Sequence, residues 1–222
     1  MMVRCRGLQK TYEGERGPVD AVRGVDIDIP SGAFTAIIGR SGSGKSSLLA
    51  MIGGLGRPSG GEVNLGGVSI WSMPDDALTR FRNRRIGHVF QSASLLPTLT
   101  ILDNVALPAL LADPSDRAAA YGFAEHLLGR MGIGGHLDAY PEELSVGEQR
   151  RASIARALVN APPLLLADEP TSDLDEESER EIMAVLESVN RDHATTVVLV
   201  THDLALAARA DAVIHVANGG LA

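Results

Sequence analysis

The sequence has little of what would cross-link the chain or carry it into a membrane. Its 222 residues include one cysteine, Cys5, so an internal disulfide bond is excluded. Prolines and charged residues interrupt the apolar runs before they reach the roughly 20 residues that a membrane-spanning helix needs. Residues 1–6 lack the apolar core of a secretory signal. We therefore expect a cytoplasmic protein whose contact with a membrane depends on another polypeptide.

Positive charge is also scarce. Lysine and arginine number 20 against 28 aspartates and glutamates, which gives a formal net charge of -8. Proteins that bind a nucleic acid duplex cluster lysine and arginine against its phosphates. We therefore expect no nucleic acid partner. The length suits one compact domain with a substantial core.

The most informative segment that is present is a glycine-rich loop. It fits the pattern G-x-x-x-x-G-K-[ST] and consists of Gly39, Arg40, Ser41, Gly42, Ser43, Gly44, Lys45 and Ser46. Glycines let backbone N–H groups approach phosphate closely, and the helix that follows adds its positive end. Lys45 would neutralise the outer phosphates, and the Ser46 hydroxyl would contact Mg²⁺. A plain turn would explain the glycines but leave Lys45 and Ser46 to chance, so the loop predicts a nucleoside triphosphate site.

Six short apolar runs predict the sheet that carries this loop. They cover residues 25–29, 34–38, 86–90, 164–167, 196–200 and 212–216. The runs show little alternation, which is typical of strands covered on both faces and favours a largely parallel α/β sheet. Between residues 92 and 143 the chain is rich in leucine and alanine, with prolines as punctuation. This segment predicts a helical subdomain inserted into the sheet.

Two carboxylates, Asp168 and Glu169, end the strand predicted at 164–167. Open α/β sheets bind ligands at the carboxyl ends of their strands. Asp168 would hold Mg²⁺, mostly through water, and Glu169 would orient or deprotonate the water that attacks the γ-phosphate. The alternative is a strand that runs into an acidic, solvated turn. The phosphate loop favours the first interpretation.

A third signal is the helix start formed by Ser145 and Glu148, which fit the capping-box pattern S-x-x-E. A helix N-terminus attracts anions, so this one could bind a phosphate. Capping boxes also begin many helices that bind nothing, and the pattern alone leaves both possibilities open.

In order and spacing, these segments resemble the nucleotide-binding subunit of an ATP-binding cassette (ABC) transporter over essentially the whole chain. Residues 39–46 resemble the Walker A loop, Gln91 the Q-loop, 144–149 the signature, 164–169 the Walker B strand, 172–175 the D-loop and His202 the switch histidine. The resemblance implies an α/β P-loop NTPase core with a mostly parallel central sheet and an N-terminal antiparallel β subdomain. It implies one domain, 1–222, in which 1–91 and 160–222 form the core and 92–159 the helical subdomain with the signature.

The resemblance also implies roles that chemistry alone leaves ambiguous. Tyr12 would stack on adenine, Gln91 would touch Mg²⁺ and sense the helical subdomain, and His202 would contact the γ-phosphate; Ser47 would complete the phosphate loop. By themselves, a tyrosine more often packs and a histidine after a strand more often caps a helix.

The signature residues Ser145, Gly147 and Glu148 would act on the ATP held by a second cassette. The resemblance therefore implies a homodimer with two sandwiched ATP molecules. One departure stands out, because Val146 occupies a position where the family usually has glycine, and its bulk would weaken or reshape that contact.

The expected partner is a membrane permease, which would hold the protein at the cytoplasmic face of the cell membrane. Residues 90–100 resemble the family's permease-contacting region, although Leu95, Leu96 and Leu99 could equally fill the subdomain core. Arginines at 80, 82, 84 and 85 could lie near the permease or lipid, or form a solvated helix face. The sequence most resembles the lipoprotein-releasing and macrolide-exporter group. A cell-division ATPase, an importer subunit, a non-transport clamp and a regulator that binds ATP without turnover are the alternatives.

Overall fold

The computed structural model describes residues 1–14, 17–172 and 174–222. The strands are β1 (Val3–Tyr12), β2 (Val19–Ile29), β3 (Phe34–Ile38), β4 (Gly60–Leu65), β5 (Val68–Ser69), β6 (Ile86–Val89), β7 (Leu164–Asp168), β8 (Thr196–Thr201), β9 (Ala212–Ala217) and β10 (Gly220–Leu221). The α-helices are α1 (Lys45–Ile52), α2 (Asp75–Arg85), α3 (Ile101–Ala112), α4 (Arg117–Arg130), α5 (Val146–Leu158), α6 (Glu176–His193) and α7 (Leu204–Ala207). Short 3₁₀ helices cover Ile70–Ser72, Gly134–His136 and Pro141–Glu143.

The central sheet has the order β10-β9-β3-β8-β7-β6, and all neighbours are parallel except β10 and β9. Ile38 is paired with Thr201, and Asp168 with Val200, so β3, β7 and β8 end at the same level. The phosphate loop, the two carboxylates and His202 each follow one of these ends. Parallel pairing therefore brings three distant segments of the chain to one edge.

Both faces of β3, β7 and β8 are covered, which explains their unbroken apolar runs. The strand β9 is largely exposed, and the run predicted at 25–29 lies in β2, outside this sheet. Along β7, Leu165 and Ala167 pack into one core, and Leu164 and Leu166 pack into another. The strand β8 divides its valines and leucine between the same two cores. A strand with two buried faces has no polar positions to alternate with.

The second core lies between the central sheet and an antiparallel sheet of order β2-β1-β4-β5. Helix α1 fills the space between them with Leu48, Met51 and Ile52, all fully buried. In β1, Val3 and Cys5 are buried and Arg4 between them is exposed, so one face of this sheet lies in the core and the other does not. This packing fixes the direction of α1, and with it the position of the phosphate loop.

Between β6 and β7, the described chain forms helices α3, α4 and α5 with two of the 3₁₀ helices. Their apolar faces, together with α6, form the core on the other face of the central sheet. Leu95 is partly buried against this core, whereas Leu96 is an exposed large hydrophobic residue. Among the described residues, no helix is both long and apolar enough to span a bilayer.

Candidate functional site

The phosphate loop connects β3 to α1, and two of its glycines are required by close approaches of backbone. A Cβ on Gly39 would lie 2.1 Å from the carbonyl oxygen of Val216, and one on Gly44 would lie 2.1 Å from that of Ala21. Gly44 also has φ +104°, a conformation that strains other residues. No side chain in the described structure caps the N-terminus of α1. Its backbone N–H groups are therefore directed at the space where an anion would sit.

Lys45 is folded into this loop. Its side chain is buried, with 7% of the residue exposed, and Nζ donates to the carbonyl oxygens of Gly39 at 2.8 Å and Arg40 at 3.2 Å. The loop carbonyls thus compensate the ammonium for its lost hydration. The ammonium is held at the base of the loop, beside the space left for phosphates.

Asp168, at the end of β7, has the environment of a cation ligand. Burial raises the pKa of its carboxyl, a hydrogen bond from the Ser46 side chain lowers it in part, and the charge of Glu169 raises it further. Oδ1 is buried and lacks a hydrogen-bond partner in the described structure. A buried carboxylate oxygen without a donor, beside a serine hydroxyl, matches the oxygen ligands that Mg²⁺ takes. The residues present therefore fit the metal.

Glu169 contacts His202 across the sheet edge, with Oε2 lying 2.9 Å from Nδ1 of the histidine. The glutamate is a non-glycine residue at φ +46°, a conformation that costs about 1–3 kcal/mol. Its N–H donates to Val200 at 2.9 Å, and the Ser172 hydroxyl donates to its carbonyl oxygen at 3.0 Å. The backbone is thus fixed at both sides of Glu169. The surrounding structure maintains a strained backbone that aims this carboxylate into the cleft.

Lys45, Glu169 and much of the phosphate loop line one open cleft of about 530 Å³, whereas Asp168 is not among its lining residues. Its walls are formed by Ala21, Ser41, Gly42, Gly44, Lys45, Ser46, Ser47, Gln91, Glu169, Ser172 and His202. The structure therefore brings together the loop, the Q-loop residue and both proposed catalytic groups. Gly39, Arg40 and Ser43 do not line the cleft: the carbonyls of the first two receive Lys45, Arg40 is exposed and Ser43 is buried.

Tyr12 lies at the end of β1, close to this cleft. Its hydroxyl donates to Oγ of Ser47 at 3.3 Å, and Nζ of Lys10 lies 4.8 Å from the centre of its ring. The residue is 44% exposed, so ring surface remains for a stacked base. The predicted adenine contact is compatible with this position and stays a prediction.

The signature residues lie elsewhere. Ser145 caps α5: its hydroxyl donates to Oε2 of Glu148 at 2.7 Å, and its backbone N–H donates to the same oxygen at 2.8 Å. These hydrogen bonds, led by the one from the hydroxyl, hold the pKa of Glu148 below its usual value. Gly147 packs beside Ser178, where a Cβ would lie 3.2 Å from the hydroxyl oxygen, and Val146 is 57% exposed. None of these four helix-start residues lines the nucleotide cleft of the described chain.

Comparisons with known proteins identify this arrangement. A family model described as "ABC transporter" matches residues 22–172. That span is more than half of the chain. The chain belongs to the ABC transporter family.

Curated relatives agree with this assignment. The chain is 45% identical to the lipoprotein-releasing system ATP-binding protein LolD of Myxococcus xanthus, over 93% of this chain and 92% of that protein. It is 43% identical to the ABC transporter ATP-binding protein YbbA of Escherichia coli K12, over 99% and 96%. The macrolide export ATP-binding/permease protein MacB of Rhodopirellula baltica is 42% identical over 98% of this chain, which spans only 32% of MacB.

Solved structures match at the level of the whole fold. The dimeric structure of MJ0796, described as a bacterial ABC transporter cassette, has a TM-score of 0.93 and 36% identity, over 99% of this chain and 96% of that one. A dimeric post-hydrolysis structure of the same cassette, bound to ADP and Pi, has a TM-score of 0.87. The predictions of the family, of the ABC ATPase fold and of an ATP-hydrolysing cassette are confirmed by these likenesses.

The sequence did not indicate every residue of the ABC cassette's cleft. Ala21 lines it and its carbonyl closes on Gly44, but an alanine in an ordinary strand carries no local signal of either contact. One residue of the predicted D-loop, Asp173, lies outside the described residues. Asp175 of the same segment caps α6 by accepting from the N–H groups of Glu177 and Ser178.

Proposed function

We propose that this chain binds Mg²⁺·ATP in the cleft between the phosphate loop and β7, hydrolyses it, and thereby powers a separate membrane permease. The observation that carries the proposal is the buried Oδ1 of Asp168, which lacks a donor and lies beside Ser46 at the mouth of a loop built for an anion. In Mg²⁺·ATP, the metal would be the partner of the Asp168 carboxylate, and the phosphates would be the anion that the loop binds.

In this proposal each residue has a chemical task. The N–H groups of Gly42, Gly44 and neighbouring loop residues hold the phosphates, while Lys45 neutralises the outer ones. Ser46, Asp168 and Gln91 would hold Mg²⁺, which would neutralise part of the phosphate charge. These residues position the substrate and leave the activation of water to another group.

Glu169 is the candidate general base. Its carboxylate contacts His202, which is largely exposed, with 71% of its side chain accessible. An exposed imidazole can turn toward a γ-phosphate, and Glu169 is then free to accept a proton from the attacking water. The strained backbone of Glu169 keeps its carboxylate near that point whether or not His202 is engaged.

The complete site requires a second chain. Ser145, Gly147 and Glu148 lie outside the cleft of their own chain, at the exposed start of α5. A helix start of this kind offers N–H groups to phosphate. We propose a head-to-tail homodimer in which each α5 closes over the ATP held by its partner, as the dimeric structures named above make plausible for a cassette of this fold.

The permease would dock on a groove of about 610 Å³ between α2, α3 and α5. Leu111 and Phe90, both among its lining residues, are exposed, as is typical of a surface that has a partner. Arg82 and Arg84 also line it, although each donates to a backbone carbonyl, of Gly54 and Ala112 respectively. Docking there would place the protein at the cytoplasmic face of the membrane.

The relatives favour a permease of the lipoprotein-release or macrolide-export type. The alternatives of a cell-division ATPase and an importer subunit would use the same site and power a different permease. A clamp that acts without a permease is the more distant alternative, and it would copurify with no membrane protein.

The test has two parts. The purified chain should release phosphate from ATP when Mg²⁺ is present and stop when Mg²⁺ is chelated, with Lys45→Ala as the inactive reference. The tagged chain, expressed in its own host and solubilised in detergent, should copurify with a permease whose sequence identifies the group. ATP binding without turnover would support the regulator alternative and overturn the enzymatic proposal.

A further inference from the structure

The signature helix α5 is attached directly to the loop that carries Gln91. Arg150 on α5 is only 3% exposed, and its Nη1 donates to the carbonyl oxygen of Phe90 at 2.7 Å. A buried guanidinium requires hydrogen-bond partners, and charge-assisted bonds of this length are about twice as strong as neutral ones. This contact therefore holds the loop firmly at the residue before Gln91.

The Phe90 carbonyl is linked to the backbone of Gln91 by covalent geometry. That carbonyl belongs to the peptide group that also contains the N atom of Gln91 and leads to its Cα. Because the peptide group is planar, restraining the carbonyl oxygen also restrains the N and Cα atoms of Gln91, and so the point from which its side chain extends. Arg150 thus influences the orientation of Gln91 without touching it.

A second arginine of α5 holds the other end of the loop. Arg156 donates from Nη1 to the carbonyl oxygen of Ser94 at 2.7 Å and from Nη2 to that of Ala93 at 3.0 Å. Ser94 has φ +49°, a conformation that serine adopts only when its surroundings enforce it. The loop from residue 90 to residue 94 is therefore tied to α5 at both ends.

Gln91 itself lies between two clefts. It lines the nucleotide cleft with Lys45 and Glu169, and it also lines a second open cleft of about 480 Å³ with Val146 and Arg150. The same helix that carries Arg150 begins at Ser145, five residues earlier. One rigid element therefore connects the proposed contact with the partner's ATP to the proposed metal contact in the same chain.

We propose that Arg150 is a positioning residue that couples the signature helix to Gln91. When the partner cassette fixes the start of α5, Arg150 fixes the Phe90 carbonyl, and Gln91 is held where it completes the metal site. The inference rests on the proposed function for the roles of Gln91 and Ser145. It adds a residue that neither the glycine loop nor the signature pattern indicates.

The experiment is a double-mutant cycle on steady-state ATP hydrolysis, with Arg150→Met, Gln91→Ala and the double variant. Methionine keeps much of the side-chain volume and removes the donors. Arg150→Met should lower kcat about 3- to 30-fold, the range typical of residues that transmit coupling, with the KM for ATP unchanged within about twofold. In the Gln91→Ala background, Arg150→Met should cause no further loss.

Two further variants separate positioning from a general structural role. Arg150→Lys keeps a charged donor and should show an intermediate loss that also vanishes in the Gln91→Ala background; it serves as well if the methionine variant folds poorly. Arg151→Met is the matched control, because this neighbouring arginine pairs with Glu181 on α6 instead of the loop. The control should keep kcat within about twofold of the parent.

The outcomes distinguish the two levels of the argument. If the parent chain releases no phosphate, the proposed function itself fails. If the parent is active and Gln91→Ala slows it, but Arg150→Met leaves kcat unchanged or its loss multiplies with that of Gln91→Ala, the positioning role is overturned. If Gln91→Ala has no effect in an active parent, the role of Gln91 is wrong and the coupling proposal falls with it, while hydrolysis stands.

Discussion

The carboxyl edge of the central sheet and the start of α5 are built by opposite means. At the sheet edge, buried strands, glycines in close contact with backbone carbonyls and a buried lysine form a cleft from residues of one chain. At the start of α5, Ser145 is exposed and its hydroxyl is bound to its own Glu148. The difference supports the proposal that each chain supplies two different parts of the site: the sheet edge would bind ATP, and the start of α5 would contact the ATP of a partner.

The largest effect should come from the sheet edge, with Glu169→Gln. Glutamine preserves the shape of the side chain but cannot accept the proton, so hydrolysis should fall by about two to four orders of magnitude while ATP binding remains. The variant should accumulate as a nucleotide-bound dimer in size-exclusion chromatography with ATP. Hydrolysis at the parent rate would show that Glu169 is not the base.

Asp168→Asn should reveal that the sheet edge is built for a cation at some expense of stability. Burial raises the pKa of this carboxyl, so the folded chain binds that proton more tightly than the unfolded chain. Its contribution to stability therefore improves as pH falls through the folded-state pKa and worsens at neutral pH, where the buried charge is disfavoured. Removing the charge should raise the unfolding temperature of the nucleotide-free protein at pH 7.

The same substitution should lower Mg²⁺-dependent hydrolysis by about 10- to 100-fold, as losing a group that orients a metal typically does. Scanning calorimetry without nucleotide measures the unfolding temperature, and phosphate release with and without Mg²⁺ measures the hydrolysis. A variant that is less stable than the parent without nucleotide would contradict the proposed cation environment of Asp168.

The two regions also differ in how far the sequence predicts them. The phosphate loop and the strands β3, β7 and β8 follow from local chemistry, because a motif and an unbroken apolar run need no knowledge of distant residues. The pairing of β1 with β2 cannot be predicted in this way. Its register shifts after Cys5, where Gly7 adopts φ +53°. The alternation of buried and exposed residues is therefore interrupted.

Contacts between distant segments could not be predicted from local sequence patterns either. Glu169 and His202 are 33 residues apart, and Arg150 and Phe90 are 60 apart; both pairs meet only because the sheet and helix packing bring them together. The roles of individual site residues stay predictions for the same reason, since a role depends on a ligand as well as on a position.

At the α5 start, Ser145→Ala should separate dimerisation from nucleotide binding. The variant should bind ATP like the parent, but hydrolysis should fall about tenfold, which corresponds to the loss of one hydrogen bond to a charged group. The matched control is Thr100→Ala, which removes an N-cap from α3, where the Thr100 side chain accepts from the N–H of Asp103. Both variants should lose about 0.5–2 kcal/mol of stability, but only Ser145→Ala should impair ATP-dependent dimerisation. If both variants impaired dimerisation equally, the effect would arise from lost helix stability and not from a contact of Ser145.

The smallest expected effect is at Val146, an exposed residue in the first turn of α5, next to the residues that we propose contact the partner's phosphates. Val146→Gly removes that bulk and lets the backbone approach, so the ATP-bound dimer should become about threefold tighter in sedimentation equilibrium. Glycine also loosens the helix start, at about 0.5–1 kcal/mol of stability. Val146→Ala is the control, because it removes most of the bulk and keeps the helix propensity. If alanine tightens the dimer as much as glycine does, side-chain bulk is the obstacle; if neither variant changes it, Val146 does not face the partner's nucleotide, and the head-to-tail arrangement of the two regions is wrong.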